Sequence, residues 1–211
     1  MTQTFALFPL QLVVFPGEQL NLHVFELRYR QLVEDAERND ITWLIPTMID
    51  GTIRPTATEV TLSEVAKRYP TGEFDIHTIG GRVFFLEDYW KKLPGRLYPG
   101  GEASELEVDQ SENPDINEEI IELAKVMYAR LGVDKEIKSV EEGFSTYEIG
   151  HYVGLSLEQE YQMLTLRSAY PRQTFLLNHI KKILPTVDSN MAIKERAQLN
   201  GHFKELVPPK F

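Results

Sequence analysis

The sequence predicts a mixed α+β protein: a small, closed or nearly closed β-sheet lobe carrying one packed helix, followed by a lobe of short helices. Three observations predict it. Nearly all of the strand signal lies before residue 110. Within Phe25–Ala36 the apolar spacing switches to the helical period, with Phe25, Tyr29, Leu32, Val33 and Ala36 on one stripe. Between Glu102 and Glu122 there are nine acidic residues and no basic one, and only helical patterns follow. The expected division is therefore a β-barrel lobe over 1–110, a helical lobe over 111–190 and a tail over 191–211.

In chain order, Phe5–Phe25 reads as short strands broken by Pro9 and by Pro16-Gly17, because proline removes a ladder donor and glycine permits a turn. The helix that follows carries Glu26, Arg30 and Glu34 one turn apart on a second face, a spacing that permits i,i+4 pairs worth a few tenths of a kcal/mol. Trp43–Met48 is a short strand. Ala57–Tyr69 and Glu73–Ile79 pair as a hairpin across Pro70-Thr71-Gly72, and alternation puts Phe74, Ile76 and Thr78 on one face with Asp75 and His77 on the other. Arg82–Glu87 and Glu102–Val108 complete the set, with turn signals between them, which suggests a small closed sheet.

In the second lobe, Asn113 caps a helix whose first turn holds Pro114, with Asp115, Glu118 and Glu119 near the positive end of the dipole. Its apolar stripe is Ile116, Ile120, Leu123, Met127 and Leu131, and Gly132 stops it. Ser156-Leu157-Glu158-Gln159 has capping-box spacing, with Leu157, Tyr161 and Leu164 inward. Pro171 opens a third helix lined by Leu176, Ile180, Ile183 and Val187. In the tail, Phe203, Leu206 or Phe211 is expected to pack back as a strap, the alternative being a mobile arm or a partner-binding peptide.

Composition excludes several classes. At 42% apolar and 26% charged the chain is an ordinary globular one. Without cysteine there is no disulfide, thiolate nucleophile or cysteine-bound zinc. No apolar run approaches the roughly 20 residues of a membrane span, so the expectation is a cytoplasmic protein with no membrane partner. The net charge of −10 repels polyanions and disfavours nucleic acid.

Catalytic motifs fail one by one. Gly95-Arg96-Leu97-Tyr98-Pro99-Gly100 has phosphate-loop glycine spacing, but Gly101-Glu102 follow where lysine and a hydroxyl must meet phosphate and magnesium. Gly154-Leu155-Ser156-Leu157-Glu158 is half a nucleophile elbow, and Ser156 is better explained as a helix cap. His23, His77, His151, His179 and His202 lack the spacing of a zinc protease, and the acidic stretch lacks the glycine of a calcium loop. These readings give no catalytic residue, no metal and no cofactor; the acidic stretch is a solvated linker, and each histidine takes a local hydrogen bond.

One stretch is more specific. Val13–Gly17 forms a VxFPG turn, His23–Ala36 runs from a strand end into a helix that begins Arg28-Tyr29-Arg30, and Gly81–Glu87 adds Gly-Arg-Val-Phe-Phe-Leu-Glu. Together they resemble the opening of the Lon protease N-terminal domain, closely over the first half of the chain and only in pattern over the second. Where many relatives carry Gly-Thr entering the hairpin, this chain has Val60-Thr61, and the pattern does not explain Asp50–Thr58.

The resemblance implies a PUA-like pseudo-β-barrel followed by a helical bundle, in a stand-alone copy without the ATPase or peptidase of the full enzyme. It implies a non-catalytic module that binds unfolded or extended polypeptide, or a protein partner, in a groove between the lobes. Tyr89, Trp90 and Tyr98, in the region after the Phe84–Glu87 strand, are the candidate peptide-binding residues. The alternative is an RNA-binding PUA-like protein, which requires Lys67, Arg68, Arg82, Lys91, Lys92 and Arg96 to gather on one face. Arg28 or Arg30 is expected to satisfy a carbonyl at the barrel end.

Overall fold

In the computed structural model, which describes residues 1–189, the chain is a mixed α+β protein and divides into two compact units, Met1–Glu107 and a second beginning at Val108. The tail expected over 191–211 lies outside the described residues.

The first unit holds β1 (Thr2–Leu7), β2 (Gln19–Val24), α1 (Leu27–Asn39), β3 (Trp43–Ile49), β4 (Thr52–Arg68), β5 (Phe74–Trp90) and β6 (Gly100–Leu106). The strands pair in the order β2-β5-β4-β3-β1-β6, and β6 also pairs with β5. The ring β5-β4-β3-β1-β6 is thus closed, and β2 hangs from the first half of β5. Closure rests on β5 serving two partners: Leu22 lies opposite Ile76, and Phe84 opposite Glu105.

The sequence read β5 as two strands, broken at Gly80-Gly81. The break is a change of partner, not of strand. A side chain at Gly80 would place its Cβ 2.4 Å from the Phe15 carbonyl oxygen, so only glycine lets the two backbones meet there. Asp50-Gly51, which the resemblance left unexplained, is the tight turn between β3 and β4, and both residues have positive φ (51° and 73°), as two-residue hairpin turns require.

Phe8–Phe15 differs from the expectation of strands. Val13, Val14 and Phe15 are buried at 1% exposure or less, yet the segment is no strand: beside one isolated bridge, Leu10–Thr47, the Phe8 amide donates to the Leu44 carbonyl at 2.9 Å and the Met48 amide to the Leu10 carbonyl at 2.7 Å. Further along, Thr58 Oγ1 of β4 donates to the Val14 carbonyl. The core of this unit joins Phe8, Leu12 and Val14 to Leu20, Leu22, Tyr29, Leu32, Trp43 and Ile76. Phe8 stacks on Tyr29 at 3.8 Å between ring centroids, which couples this irregular segment to α1.

The second unit contains α2 (Pro114–Leu131), α3 (Leu157–Thr165) and α4 (Ala169–Ile183), with 3-10 turns over Thr146–Tyr152 and Leu184–Ser189. Asn113 caps α2 by accepting from Asp115 and Ile116, and Gly132 ends it at φ 70°. Ser156 and Gln159 form the capping box of α3. The buried stripe of α2 is rotated from the expected one, adding Asn117, Ile121, Ala124 and Tyr128 while Ile116 and Leu123 are half-buried. The rotation follows a polar contact: Asn117 Oδ1 accepts from Gln173 on α4.

The acidic connector is anchored rather than solvated. Arg172, 0% exposed on α4, donates from Nη2 to the Asp109 carbonyl at 2.9 Å and to Glu112 Oε1 at 3.0 Å. The same Glu112 carboxylate accepts from the Thr146 amide at 3.0 Å. A buried guanidinium whose three nitrogens all find oxygen partners is what allows a carboxylate to leave water here.

Candidate polypeptide-binding surface

The end of β5 pairs two aromatic residues with two glycines of β6. Tyr89 lies opposite Gly101 and Trp90 opposite Gly100 on β6; the space beside Gly100 is filled by Leu93, and that beside Gly101 by Leu86 and Leu7. A β-bulge between Leu86 and Asp88 re-aims this end of the strand. Tyr89 is 47% exposed, Trp90 is half-buried, and the Tyr89 amide donates to Asp88 Oδ1 at 2.8 Å.

Tyr98 goes elsewhere. It is 1% exposed and belongs to the core, its hydroxyl donating to Asp35 Oδ2 on α1 at 2.9 Å. Burial, and then the Asp35 carboxylate beside it, push its phenol up to about 12. Of the three sequence-selected residues, Tyr89 and Trp90 are consecutive at the strand end, where successive side chains point to opposite faces, and Tyr98 is a buried anchor with no face to offer a ligand.

That anchor fixes the whole connection between β5 and β6. Arg96 Nη1 reaches Asp35 at 3.2 Å, the Leu97 amide donates to Gln31 Oε1 at 2.7 Å, and the Leu7 amide donates to the Pro99 carbonyl at 2.9 Å. Gly95–Gly100, which has the glycine spacing of a phosphate loop without its lysine, is a strap pinned to α1. Asp35 was the missed residue, and its position on the apolar stripe one residue before Ala36 was the available signal. The strap presents Leu97, 47% exposed, and α1 presents Leu27, 69% exposed. Phe85, also on β5, is 38% exposed opposite Ser104 of β6 and Thr56 of β4.

Basic groups in this unit are mostly committed to carboxylates. Arg82 pairs with Glu59 at 2.8 Å and Glu105 at 2.9 Å, Arg68 with Glu37 and Arg96 with Asp35, while Lys67 lies over the Tyr69 ring. Arg28 donates to Glu26, and the Arg30 guanidinium packs against Gly72 in the β4–β5 turn.

The histidines take local partners: His23 meets Asp75 at 2.7 Å, His77 meets Glu64 at 3.4 Å, buried His151 meets Glu160 at 3.0 Å and His179 meets the Val153 carbonyl. His202 lies outside the described residues. Among the described residues no three His, Asp or Glu side chains are grouped to hold a metal, and no helix is long and apolar enough to cross a membrane. The surface offers apolar contact and hydrogen bonding.

No protein-family model and no curated protein matches the chain. Solved structures do. The chain is similar to the Lon N-terminal domain protein from Xanthomonas campestris, with a TM-score of 0.64 and 26% identity over 83% of this chain and 98% of that one. It shares the fold of the N-terminal domain of Mycobacterium avium complex Lon protease, with a TM-score of 0.62 and 14% identity over 85% of this chain and 98% of that one. In the signature of Val13–Gly17 and His23–Ala36 and in its fold alike, the chain resembles Lon N-terminal domains.

Proposed function

We propose that the protein is a non-catalytic binding module for unfolded or extended polypeptide, acting as a substrate-recognition or adaptor domain. The observation that carries this reading is the exposure of Leu27, Phe85, Tyr89 and Leu97, all on the barrel unit and all large and apolar. Exposed apolar groups that act together as a patch are where a protein meets a partner. Apolar contact is non-directional and tolerant of sequence, which suits a module that accepts many unfolded chains. Tyr89 and Trp90 are the leading contact residues, and Tyr98 acts through the strap it anchors.

RNA is the weaker alternative, because Arg68, Arg82 and Arg96 are each already paired with a carboxylate and the chain carries a net charge of −10.

The test is fluorescence anisotropy of a labelled, permanently unfolded polypeptide titrated with the protein, beside the folded form of the same chain and a single-stranded RNA of equal length. Saturable binding to the unfolded chain alone supports the proposal. Binding to RNA alone overturns it, and binding to neither replaces it with a dedicated folded partner.

A further inference from the structure

The barrel ring has no edge, but two stretches of strand outside it do, and the chain treats them differently. Among the described residues, β4 beyond Thr61 pairs only with β5. That stretch carries two register shifts, at Leu62/Glu64 and Val65/Lys67, and the charges of Glu64, Lys67 and Arg68. Bulges and charges are the devices that keep a free edge from pairing with another chain. The second stretch is β2, six residues reading Gln-Leu-Asn-Leu-His-Val, paired on one side with β5 in unbroken register from Gln19–Ile79 to Val24–Phe74. It has no lysine, no proline and no bulge.

The hydrogen-bond phase of β2 follows from one bond. The Gly80 amide donates to the Glu18 carbonyl, and bonded and non-bonded positions alternate along an antiparallel pair. Leu20, Leu22 and Val24 therefore turn their backbone groups toward β5, while Gln19, Asn21 and His23 turn theirs outward. Among the described residues, no backbone or side-chain group bonds to those outward amides and carbonyls. A row of donors and acceptors at strand spacing is matched by an extended backbone and by little else.

We propose that the outer edge of β2 takes up an extended polypeptide as an added strand. This rests on the polypeptide-binding reading and gives it a second, directional component beside the apolar one. The neighbouring side chains set a preference. His23 lies between Asp75, at 2.7 Å, and Glu73, at 3.5 Å, and Glu64 lies 3.4 Å from His77, which is opposite Asn21. Lys67, near Asp75 in the ladder, is the neighbouring lysine. The acidic excess favours a guest strand alternating apolar with basic residues. It disfavours a second copy of this chain, which carries a net charge of −10.

The probe is a fluorescein-labelled eight-residue peptide of alternating valine and lysine, with the valine–glutamate peptide as control. Two readouts are taken: anisotropy, and site-resolved amide hydrogen exchange of the wild-type protein with and without peptide. The proposal expects the lysine peptide to bind and to protect the amides of Gln19, Asn21 and His23. Asn21→Pro removes one outward donor at an edge position that tolerates proline and should weaken binding about tenfold or more, whereas Asn21→Ala, which keeps the amide, should bind like wild type.

Protection confined to other residues overturns the proposal, as does equal binding of both peptides without protection. So does protection of β2 that grows with protein concentration in the absence of peptide, because it assigns the edge to self-association. If the unfolded polypeptide of the preceding section binds Asn21→Pro and wild type alike, strand addition fails and the apolar reading survives. If it binds neither, both fail.

Discussion

Arg172→Met should unfold the second unit preferentially, and the structure sets the size of the effect. Arg172 is 0% exposed. Its Nε donates to Thr146 Oγ1 at 3.1 Å and its Nη1 to the Leu166 carbonyl at 3.2 Å, in addition to the bonds to Asp109 and Glu112. Methionine fills much of the volume but leaves the Glu112 carboxylate, 5% exposed, with only the groups of Thr146 and Asn117 for partners. Removing one partner of a buried ion pair costs about 3–5 kcal/mol, because the other charge stays behind without compensation. The double variant Arg172→Met with Glu112→Gln should recover part of that loss. Urea unfolding followed by tyrosine fluorescence and far-ultraviolet circular dichroism measures both. A cost of about 1 kcal/mol or less for the single variant would refute the reasoning, since it would mean that the carboxylate finds water without disturbing the unit.

Further outcomes are expected elsewhere. Gly80→Ala should destabilise the barrel unit by about 1–3 kcal/mol in chemical denaturation, since its Cβ would fall 2.4 Å from the Phe15 carbonyl. Burial works against ionisation of Asp75, but hydrogen bonds from His23 and Tyr69 overcome it and lower its pKa below the ordinary 3.8. A lowered carboxyl pKa gives stability that is present above the unfolded value and lost as pH falls through the folded one. The wild-type advantage over Asp75→Asn should therefore be full above about pH 4 and shrink below it, as read from thermal midpoints across that range. Tyr98, raised to about 12, has the opposite sign: its contribution is full below pH 10 and fades as pH rises from 10 toward 12. Tyr98→Phe should remove that alkaline loss, and the wild-type phenolate absorbance should appear late in the titration.

The strand-turn-helix signature was legible because it is local. Val13–Gly17, the Tyr29 stripe, the Pro70–Gly72 turn, the Asn113 cap and the Ser156 box each rest on residues within a turn or two of one another. What escaped was non-local. Phe8–Phe15 has the apolar content of a strand, but its burial comes from α1 and from groups such as Thr58, which lies 44 residues away in sequence. The continuity of β5 across Gly80-Gly81 depends on two different partners, which period and propensity do not encode.

The candidate residues were less legible for the same reason. Tyr89, Trp90 and Tyr98 were chosen alike, as aromatics after the Phe84–Glu87 strand. Tyr98 looked equivalent in sequence and became core because Asp35, 63 residues away, takes its hydroxyl. The connector looked solvated by charge count alone, and Arg172, 60 residues further on, draws Glu112 inside.

The measurement that bears most directly on the central claim is the anisotropy titration of a labelled unfolded polypeptide with the wild-type protein and with the double variant Tyr89→Ser, Leu97→Ser. Both side chains are 47% exposed, and surface substitutions of this kind leave stability within about 0.5 kcal/mol, so a change in the curve reports contact with the ligand. The expected result is saturable binding by the wild type and a curve displaced about tenfold or more for the variant, with unchanged circular dichroism. Superimposable curves would contradict the claim that the exposed apolar groups of the barrel unit are where polypeptide binds.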